Sequence, residues 1–478
     1  MYFYIFVSPQ STFPMNDFIG FVIHLLKISM VRGTVETVLV GVGFLLYHWK
    51  RGLPINWRKE ILDILLVFYL SIAVYVTTQR YTGGGTGVNF HLFRAWRNAF
   101  NTWRTTQILN PILNIAMFLP FGILLPLRWQ WAQKPGWLLL AGFSFSLLLE
   151  ACQYLNANGI LDIDDLLCNT LGAMGGFGLC MAVLTWRQRK GNPLFRCLGY
   201  LTIPLGIAGS IGLLFLAYLL QPYGSLRSAP DHRINTRRIQ WKLTCPLDDV
   251  TETTVLYKLD IPSSEECLTF ALHFTAQQGL FPDTFTWYDE NLWVESHGSP
   301  NFLLTVSRQS PGYCFSCRSR ESGLTQRHAE STVREILSEY DIWLPRQAAF
   351  DYNGTIDQQG VVAQLFLADG IQTDDSLIDG SVACGILPDG TLLYIDHQMF
   401  SYTRWGEANL ISQKEAYEIL IRGWFAGDNF EAHKPNTVEV YACRLDYELD
   451  TKGFRHPVWK FGLFFDGRGE VAVISATK

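Results

Sequence analysis

The sequence predicts an N-terminal multi-pass α-helical membrane bundle followed by a C-terminal extracellular α+β domain, in which helices pack on antiparallel sheets. Three observations predict this fold class. Hydrophobic residues make up 49% and charged residues only 17% of the 478 residues, whereas soluble domains carry roughly 25% charge. The long apolar runs all lie before about residue 221. From residue 225 onward, short alternating runs separated by turn residues are typical of strands.

Composition also excludes two classes of protein. An aromatic content of 14% is too high for a disordered chain. The net charge of −5 provides no basic footprint, so we expect no nucleic-acid partner. Both values fit a membrane bundle joined to a folded domain.

The apolar half contains several candidate membrane spans, each of which needs about 20 mostly apolar residues. Five segments meet this requirement: Ile61–Thr78, Ile108–Leu127, Gly136–Tyr154, Leu166–Trp186 and Leu198–Leu220. The N-terminal stretch Phe18–Tyr47 is interrupted by charges at Lys27, Arg32 and Glu36. It is either one long tilted helix or an interfacial piece followed by a short span. A break at Arg32-Gly33 favours the second alternative.

Basic residues in the connecting segments predict the orientation of the bundle, because short cytoplasmic loops are enriched in lysine and arginine. On one side lie Lys50, Arg51, Arg58, Lys59, Arg128, Lys134, Arg187, Arg189, Lys190 and Arg196. We therefore expect these loops in the cytoplasm, and Gln79–Gln107, Leu155–Asp164 and everything after Gln221 outside. Against the rule, the first outward segment also carries basic residues, namely Arg80, Arg94, Arg97 and Arg104.

These patterns predict four parts in a multi-pass protein of the cell membrane. They are a membrane or interfacial segment at residues 1–60, a membrane bundle at 61–190, a last transmembrane helix and linker at 191–224, and an exterior α+β domain at 225–478. Each half of the exterior domain combines a helix with strands. Two units, 225–345 and 346–478, are therefore one interpretation of it.

Individual elements of the exterior domain can also be predicted. Ser412 followed by Glu415 is a capping box that opens a helix over Gln413–Trp424. Leu387-Pro388-Asp389-Gly390 is typical of a hairpin turn. The remaining predictions are a helix at His328–Tyr340 and strands at Val255–Ile261, Leu268–Phe274, Val438–Tyr447, Val458–Phe465 and Val471–Ser475.

The ten cysteines divide between the two halves. Those in or beside the membrane helices are Cys152, Cys168, Cys180 and Cys197, and those of the exterior domain are Cys245, Cys267, Cys314, Cys317, Cys384 and Cys443. An even number in an oxidising compartment permits disulfides, whose pairing the sequence does not define. For Cys314-Phe315-Ser316-Cys317 we favour a local disulfide or buried thiols over zinc, since no second Cys or His pair lies at ligand spacing. We expect no metal.

Polar residues at the junction of two membrane helices are the candidates for chemistry, because polar groups in a bilayer are costly. Glu150 and Gln153 end one helix and, three residues apart, share a face. After a short turn, Asp162, Asp164 and Asp165 open the next helix. The junction therefore concentrates acidic groups at one predicted membrane depth.

A stripe on the second of these helices admits a structural interpretation. Asp165, Asn169, Gly172 and Gly176 follow one another at i, i+4, i+7 and i+11. The aspartates would cap the helix, Asn169 would make an interhelical hydrogen bond, and the glycines would let a neighbouring helix approach closely. This interpretation alone does not explain why Glu150 lies at the same depth.

The other interpretation is a binding site. Crowded carboxylates repel one another unless cations compensate, and the outward segment supplies Arg94, Arg97 and Arg104. Such a mixed cluster at an outer membrane surface suits an anionic, hydrogen-bonding headgroup or peptide. A hard divalent cation held by oxygen ligands is the alternative occupant, although we expect no cofactor.

Asn114 in an earlier membrane segment completes a recognisable set of motifs. In order they are Asn114-x3-Phe118-x-Pro120-Phe121-Gly122, Glu150-x2-Gln153 and Asp162-x-Asp164-Asp165-x3-Asn169-x2-Gly172. Together they resemble the VanZ-like membrane proteins, over roughly Ile61–Trp186. The resemblance implies a multi-pass plasma-membrane protein associated with teicoplanin resistance in Gram-positive bacteria. The Gly-rich and Arg-containing segment Gly83–Trp103 and the large exterior domain depart from that family.

The C-terminal unit Ile411–Ile474 is faintly similar to the small helix-on-meander modules of the PepSY or YycI type. The likeness rests on Ile411-Ser412-x2-Glu415-Ala416, Val438-x-Val440-x5-Asp446-Tyr447 and Pro457-Val458-Trp459. In exported proteins such modules mostly inhibit or regulate partners, which implies an exterior protein partner. An ordinary α+β fold is the alternative.

Three functions remain in competition. The favoured one is a non-enzymatic surface factor that binds a membrane lipid, cell-wall precursor or glycopeptide and contributes to antibiotic resistance or cell-envelope maintenance. The second is a membrane-embedded hydrolase or transferase, with Glu150 as general acid or base and metal-binding or water-activating roles for Asp162, Asp164 and Asp165. The third is a transporter or channel subunit. Whether the chain is an enzyme stays open at this point.

Overall fold

The computed structural model of the protein describes the backbone of residues 15–52, 54–78, 87–155, 160–188, 193–226, 228–288, 290–308, 312–317, 327–353, 363–372, 375–426, 430 and 433–477, and side chains from residue 27 onward. Among the residues named above, Gln79, Arg80, Gly83, Arg189 and Lys190 lie outside the described residues. The chain divides into two compact units, Met1–Gln221 and Pro222–Lys478.

The first unit is helical. Its described elements are α1 (Met15–Arg51), α2 (Trp57–Thr78), β1 (Gly87–Asn89), α3 (Arg94–Thr102), α4 (Thr105–Arg128), α5 (Pro135–Leu155), β2 (Ile160–Asp162), α6 (Ile163–Gln188) and α7 (Pro193–Leu220). All of these helices except α3, six in number, are long and apolar enough to cross a membrane. Each of the five clear spans predicted from the sequence lies within one of them, in α2 and α4 to α7.

The predicted break at Arg32-Gly33 is wrong, because α1 continues through both residues for 37 residues. Arg32 Nε donates a hydrogen bond to Glu36 Oε1 at 3.0 Å, one turn further along, so two of the interrupting charges pair on the helix itself. A Cβ atom at Gly33 would lie 3.3 Å from the ring of Phe68 in α2. This glycine therefore serves close packing rather than a turn.

Helices α4 and α6 pack with their backbones in contact along the predicted stripe of small residues. A Cβ atom added to Gly172 would lie 2.1 Å from the carbonyl oxygen of Ile115. A Cβ atom at Gly176 would lie equally close to the carbonyl oxygen of Leu119, at 2.1 Å. Any larger residue would push the helices apart, so the glycines fix how deeply the polar start of α6 sits against α4.

The second unit is built on a sheet. Its described elements are β3 (Gln240–Leu243), β4 (Thr253–Lys258), α8 (Ser264–Gln277), β5 (Thr284–Tyr288), β6 (Asn291–Ser296), β7 (Phe302–Ser307), β8 (Tyr313–Cys317), α9 (Glu330–Glu339), β9 (Ala349–Asn353), β10 (Ala363–Gln372), β11 (Ser376–Ile386), β12 (Leu392–Asn409), α10 (Gln413–Ile421), β13 (Thr437–Leu449), β14 (Phe454–Phe465) and β15 (Arg468–Ser475).

These strands form one 13-stranded sheet, whose main path is β3-β13-β14-β4-β12-β8-β7-β6-β5. Beside this path, β15 pairs with β14, β11 with β12, β10 with β11 and β9 with β10. Among the described pairings, β3 with β13 is parallel and the others are antiparallel. The predicted fold class, a helical membrane bundle followed by an α+β domain, is confirmed.

The sheet unit buries two hydrophobic cores. The first includes Phe274, Val333 and Phe366, so that α8 and α9 pack against the long central strands. The second includes Leu420 of α10 and Phe461 of β14. Each core combines helices with one part of the sheet, as burial of one sheet face requires.

The predicted strand at Leu268–Phe274 is wrong, because this segment lies within helix α8. Ser263 Oγ accepts from the backbone N–H of Glu266, and the Glu266 carboxylate accepts from Ser263 N, which makes a capping box. Cys267, Ala271 and Phe274 recur at helical spacing and are buried. The apolar run is thus one stripe of a buried helix, which a short window cannot distinguish from a strand.

The other local predictions for this unit are largely confirmed. Ser412 and Glu415 form the expected capping box at the start of α10, which ends at Ile421 because Gly423 adopts a positive φ of 85°. A turn closed by a 2.9 Å hydrogen bond from Leu387 N to Thr391 O joins β11 to β12. The predicted helix at 328–340 corresponds to α9, and the three C-terminal strands to β13, β14 and β15.

Of the two alternatives favoured for Cys314 and Cys317, the local disulfide is wrong, and the buried thiol is confirmed for Cys317 but not for Cys314. Both lie in strand β8, where residues three apart point to opposite faces, so Cys314 is exposed and Cys317 is buried in the first core. All ten cysteines are free thiols in the structure.

Candidate functional site

The first part of the site is a two-stranded parallel ribbon. Strand β1 pairs with β2, which places Asn89 opposite Asp162. Asn89 Nδ2 donates to Asp162 Oδ2 at 3.0 Å, while Asp162 Oδ1 accepts from the backbone N–H of Asp164 at 2.8 Å. Asp162 therefore caps the start of α6, as the structural interpretation of the sequence expects.

Asp164 is fully buried and holds the start of another helix, α3. Its two carboxylate oxygens accept from Phe93 N at 2.6 Å and Ala95 N at 2.7 Å, and Arg94 N also hydrogen-bonds to it. These amides belong to the first turn of α3, where N–H groups have no partner within the helix. A carboxylate there also complements the helix dipole. Asp164 thus fixes α3 onto the start of α6.

Glu150 connects α5 to this arrangement. Its side chain is buried, and Oε2 accepts from the backbone N–H of Asp162 at 3.3 Å. A carboxylate with so little access to water needs such donors to offset its desolvation. Helix capping alone does not explain why Glu150 lies at the depth of the aspartates. Its contact with the β2 backbone does.

Two asparagines complete the contacts between helices. Asn114 of α4 is buried, and its Nδ2 donates to Asp165 Oδ1 at 2.5 Å. Asn169 is 2% exposed and donates from Nδ2 to Ser146 Oγ of α5 at 3.0 Å. The Oδ1 atom of Asn169 is buried without a hydrogen-bond partner. This unpaired acceptor, one turn below Asp165, is the feature that packing and capping do not explain.

We call the polar cluster the set of buried and half-buried side chains that meet here: Asn114, Glu150, Asp162, Asp164, Asp165 and Asn169. The remaining predicted site residues border it. Gln153 Nε2 donates to the carbonyl of Thr77 at the end of α2, at 2.8 Å. On α3, Arg94 contributes its backbone amide to Asp164, and Arg97 is exposed.

Sequence reasoning did not assign two contributors. Ser146 lies one turn before Glu150 on the same face of α5, and helical spacing would have shown it. Asn89 has no such signal, because it reaches the polar cluster only through the pairing of β1 with β2. The amides of Phe93 and Ala95 are equally invisible in a sequence, since any residue supplies a backbone N–H.

The bundle has a polar end and a basic end. The polar end is where α2 and α5 finish and α4 and α6 begin. At the opposite end, Arg128 makes two hydrogen bonds to Asp63, of 2.7 and 3.0 Å, a bidentate arrangement. The basic end also carries Lys50, Arg51, Arg58, Lys59, Lys134, Arg187 and Arg196.

Aromatic side chains hold α3 against α7 beside the polar end. The rings of Trp103 and Tyr218 stack with centroids 3.4 Å apart and 6° between their planes. Phe100 meets the Tyr218 ring edge-on at 5.8 Å. Aromatic residues of this kind concentrate where membrane helices reach the lipid–water interface.

The chemistry available at the polar end is that of a cluster of side chains rich in hydrogen-bond acceptors. Carboxylate and amide oxygens dominate, and they require hydrogen-bond donors or cations as partners. Among the residues that the structure describes, no group of three or more His, Cys, Asp or Glu side chains is placed to share a metal ion.

Comparison with known proteins finds a family match within the membrane half. Residues 61–185 match the family model described as VanZ/LLP1, which spans α2 to α6 and every member of the polar cluster. No curated protein matches the chain. The likeness of Ile411–Ile474 to PepSY or YycI modules lies outside the matched residues and stays a prediction. With six helices able to cross a membrane and this match, the chain is a membrane protein with a VanZ-like domain at residues 61–185.

Proposed function

We propose that the VanZ-like domain binds the polar headgroup of a lipid or a lipid-linked cell-wall precursor at the polar end, without transforming it. The observation that carries the proposal is the unpaired, buried Oδ1 of Asn169, one turn below Asp165 in the polar cluster. Packing alone requires no unpaired acceptor, and such a group costs stability unless a ligand or water pairs with it. Cell-envelope maintenance, including resistance to glycopeptides, is the role that follows from such binding.

The chemistry of the polar cluster defines the kind of headgroup. Hydroxyl, amide N–H and ammonium groups would donate to the oxygens of Glu150, Asp165 and Asn169. On α3, Arg94 and Arg97 supply positive charge for a phosphate or pyrophosphate. A sugar or peptide joined to a lipid through phosphate offers both kinds of group, whereas a simple hydrocarbon lipid offers neither.

The distribution of charge supports an outward position for this site. Lysine and arginine concentrate at the basic end, which the positive-inside rule assigns to the cytoplasm. The polar end would then face outward, and so would the unit Pro222–Lys478, which follows α7 at that end. An exterior domain would be accessible to a protein partner, in line with the regulatory role that the resemblance implies for its last module.

Binding can be measured with the full-length protein in lipid nanodiscs and a polyprenyl-pyrophosphate-linked muropeptide as the probe. Glu150→Gln and Asp165→Asn each remove one charged acceptor and keep the shape of the side chain. A hydrogen bond to a charged group contributes about 1.5–3 kcal/mol, so we expect about tenfold to hundredfold weaker binding. Glu60→Gln, at the basic end, is the matched control and should bind as the parent protein does.

Two results would contradict the proposal. If Glu150→Gln and Asp165→Asn bind the probe as tightly as the parent protein does, the polar cluster serves only helix capping and packing. Release of a cleaved product from the probe by the parent protein, lost in Glu150→Gln, would establish the enzyme interpretation instead.

A further inference from the structure

The first strand after the membrane helices, β3, lies at the edge of the sheet. It pairs with β13 over four residues, and Leu243 is opposite Val440 in the last pair. Backbone hydrogen bonds from Gln240 N to Asn436 O and from Thr244 N to Val440 O, both 2.9 Å long, extend the contact at its two ends. An edge strand with so few pairs is held weakly by backbone hydrogen bonds.

Two cysteines face the same core just beyond this pairing. On β13 the register shifts between Val440 and Ala442, so Tyr441 is an extra residue and Cys443 returns to the face that Val440 occupies. Cys443 packs against the second hydrophobic core, and so does Cys245, which follows β3. The bulge therefore turns Cys443 towards the core that Cys245 also contacts.

The two thiols also interact. Cys245 and Cys443 are both half-buried and reduced, and each lies within electrostatic reach of the other. Burial, together with the neighbouring Cys245, raises the pKa of the Cys443 thiol to about 12. Burial also raises the pKa of Cys245. Counted from the last pair, Leu243 with Val440, Cys245 is two residues further on, and Cys443 is three residues further on with Tyr441 as the extra one. The two cysteines therefore lie at the same level along neighbouring segments, and a disulfide between them needs Cα atoms about 4.4–6.8 Å apart.

We propose that Cys245 and Cys443 form a disulfide in the mature protein, with a protein or small-molecule disulfide as the oxidant. One thiolate attacks the oxidant, forming a mixed disulfide and releasing one thiol of the oxidant. The second thiolate then attacks the mixed disulfide and releases the other. Two electrons pass from the cysteine pair to the oxidant, and the two cysteine protons end on its two thiols.

The bridge would fasten the edge strand to the sheet where the chain emerges from the membrane half. Ile234 N donates to Gly423 O at 2.9 Å, and Thr236 Oγ1 to Ile421 O at 2.6 Å, so this segment is already tied to α10 by hydrogen bonds. A covalent link to β13 completes that attachment. Oxidation in the cell rests on the exterior position of this unit proposed above.

The test uses purified full-length protein in detergent, oxidised with a glutathione redox buffer, alkylated and digested without reduction. Mass spectrometry should find the Cys245 and Cys443 peptides joined. Cys245→Ser and Cys443→Ser should each abolish this product, and Cys267→Ser, a buried thiol of the first core, should leave it unchanged. Because the thiolates are scarce at neutral pH, the rate should rise about tenfold per pH unit between pH 7 and pH 9.

Complete alkylation of both thiols after prolonged oxidation at pH 9 would overturn the pairing, and so would a bridge from Cys443 to any other cysteine. Acid quenching and alkylation of intact cells distinguishes a wrong cysteine pairing from a wrong orientation of the unit in the membrane. A pair that bridges in vitro but stays reduced in cells supports the pairing and contradicts the exterior position. A bridge found in both supports both.

Discussion

Replacing Gly172 by alanine should separate α4 from α6 and loosen the polar cluster. The added Cβ would lie 2.1 Å from the carbonyl oxygen of Ile115, which is backbone and cannot rotate away. Ordinary contact requires 3.4 Å or more, so the helices must move apart by roughly 1 Å. Overpacking of this kind costs about 1–3 kcal/mol, partly offset by the better helix propensity of alanine, about 1 kcal/mol.

The matched control is Gly206→Ala in α7, where a Cβ meets nothing within 4 Å. Propensity alone operates there, so this variant should be unchanged or slightly stabilised. Thermal unfolding of both variants in the same detergent provides the comparison, with Gly172→Ala expected to melt several degrees lower than Gly206→Ala. If the two variants melt together, α4 and α6 do not pack backbone to backbone.

Three further predictions follow from single contacts. Asp164→Asn should loosen α3, since the remaining amide accepts fewer of its N–H groups; hydrogen exchange at Phe93 and Ala95 should accelerate, and unchanged protection would contradict this role. Ser263→Ala should lower the stability of the sheet unit by about 1 kcal/mol through loss of the α8 cap, measured by thermal unfolding against Ser264→Ala, an exposed position in the first turn of the same helix. Burial lowers the pKa of His456 to about 4, below the 6.5 of an exposed histidine. The stability that the neutral side chain contributes is therefore present above pH 6.5 and lost as the pH falls towards 4. His456→Gln should flatten that part of the stability–pH profile, and an unchanged slope would refute the assignment.

How much of the fold could be predicted depended on the range of the interactions involved. The spans followed from apolar length, and the capping box at Ser412 followed from two residues three apart. The break predicted in α1 was wrong because Arg32 and Glu36 were counted as two separate charges. One turn apart on a helix they pair with each other, and the helix continues. The strand predicted at Leu268–Phe274 was wrong because the residues that indicate a helix, Ser263 and Glu266, lie outside the apolar run.

The residues of the candidate site also differ in whether local spacing or the tertiary fold brings them together. Asp165, Asn169 and the glycine stripe share a helix face, so spacing alone placed them together. Asn114 required the packing of α4 on α6, and the motif resemblance supplied what spacing did not. Asn89 and the amides that Asp164 accepts come from a ribbon and a short helix whose positions depend on the tertiary fold.

The measurement that tests the central claim most directly is photocrosslinking of a diazirine-bearing, polyprenyl-linked muropeptide to the full-length protein in membranes, followed by peptide mapping. If the headgroup binds at the polar cluster, the label should fall on the end of α5 and the starts of α4 and α6, and an excess of unlabelled probe should suppress it. Labelling confined to the basic end, around Arg58 and Arg128, would contradict the account.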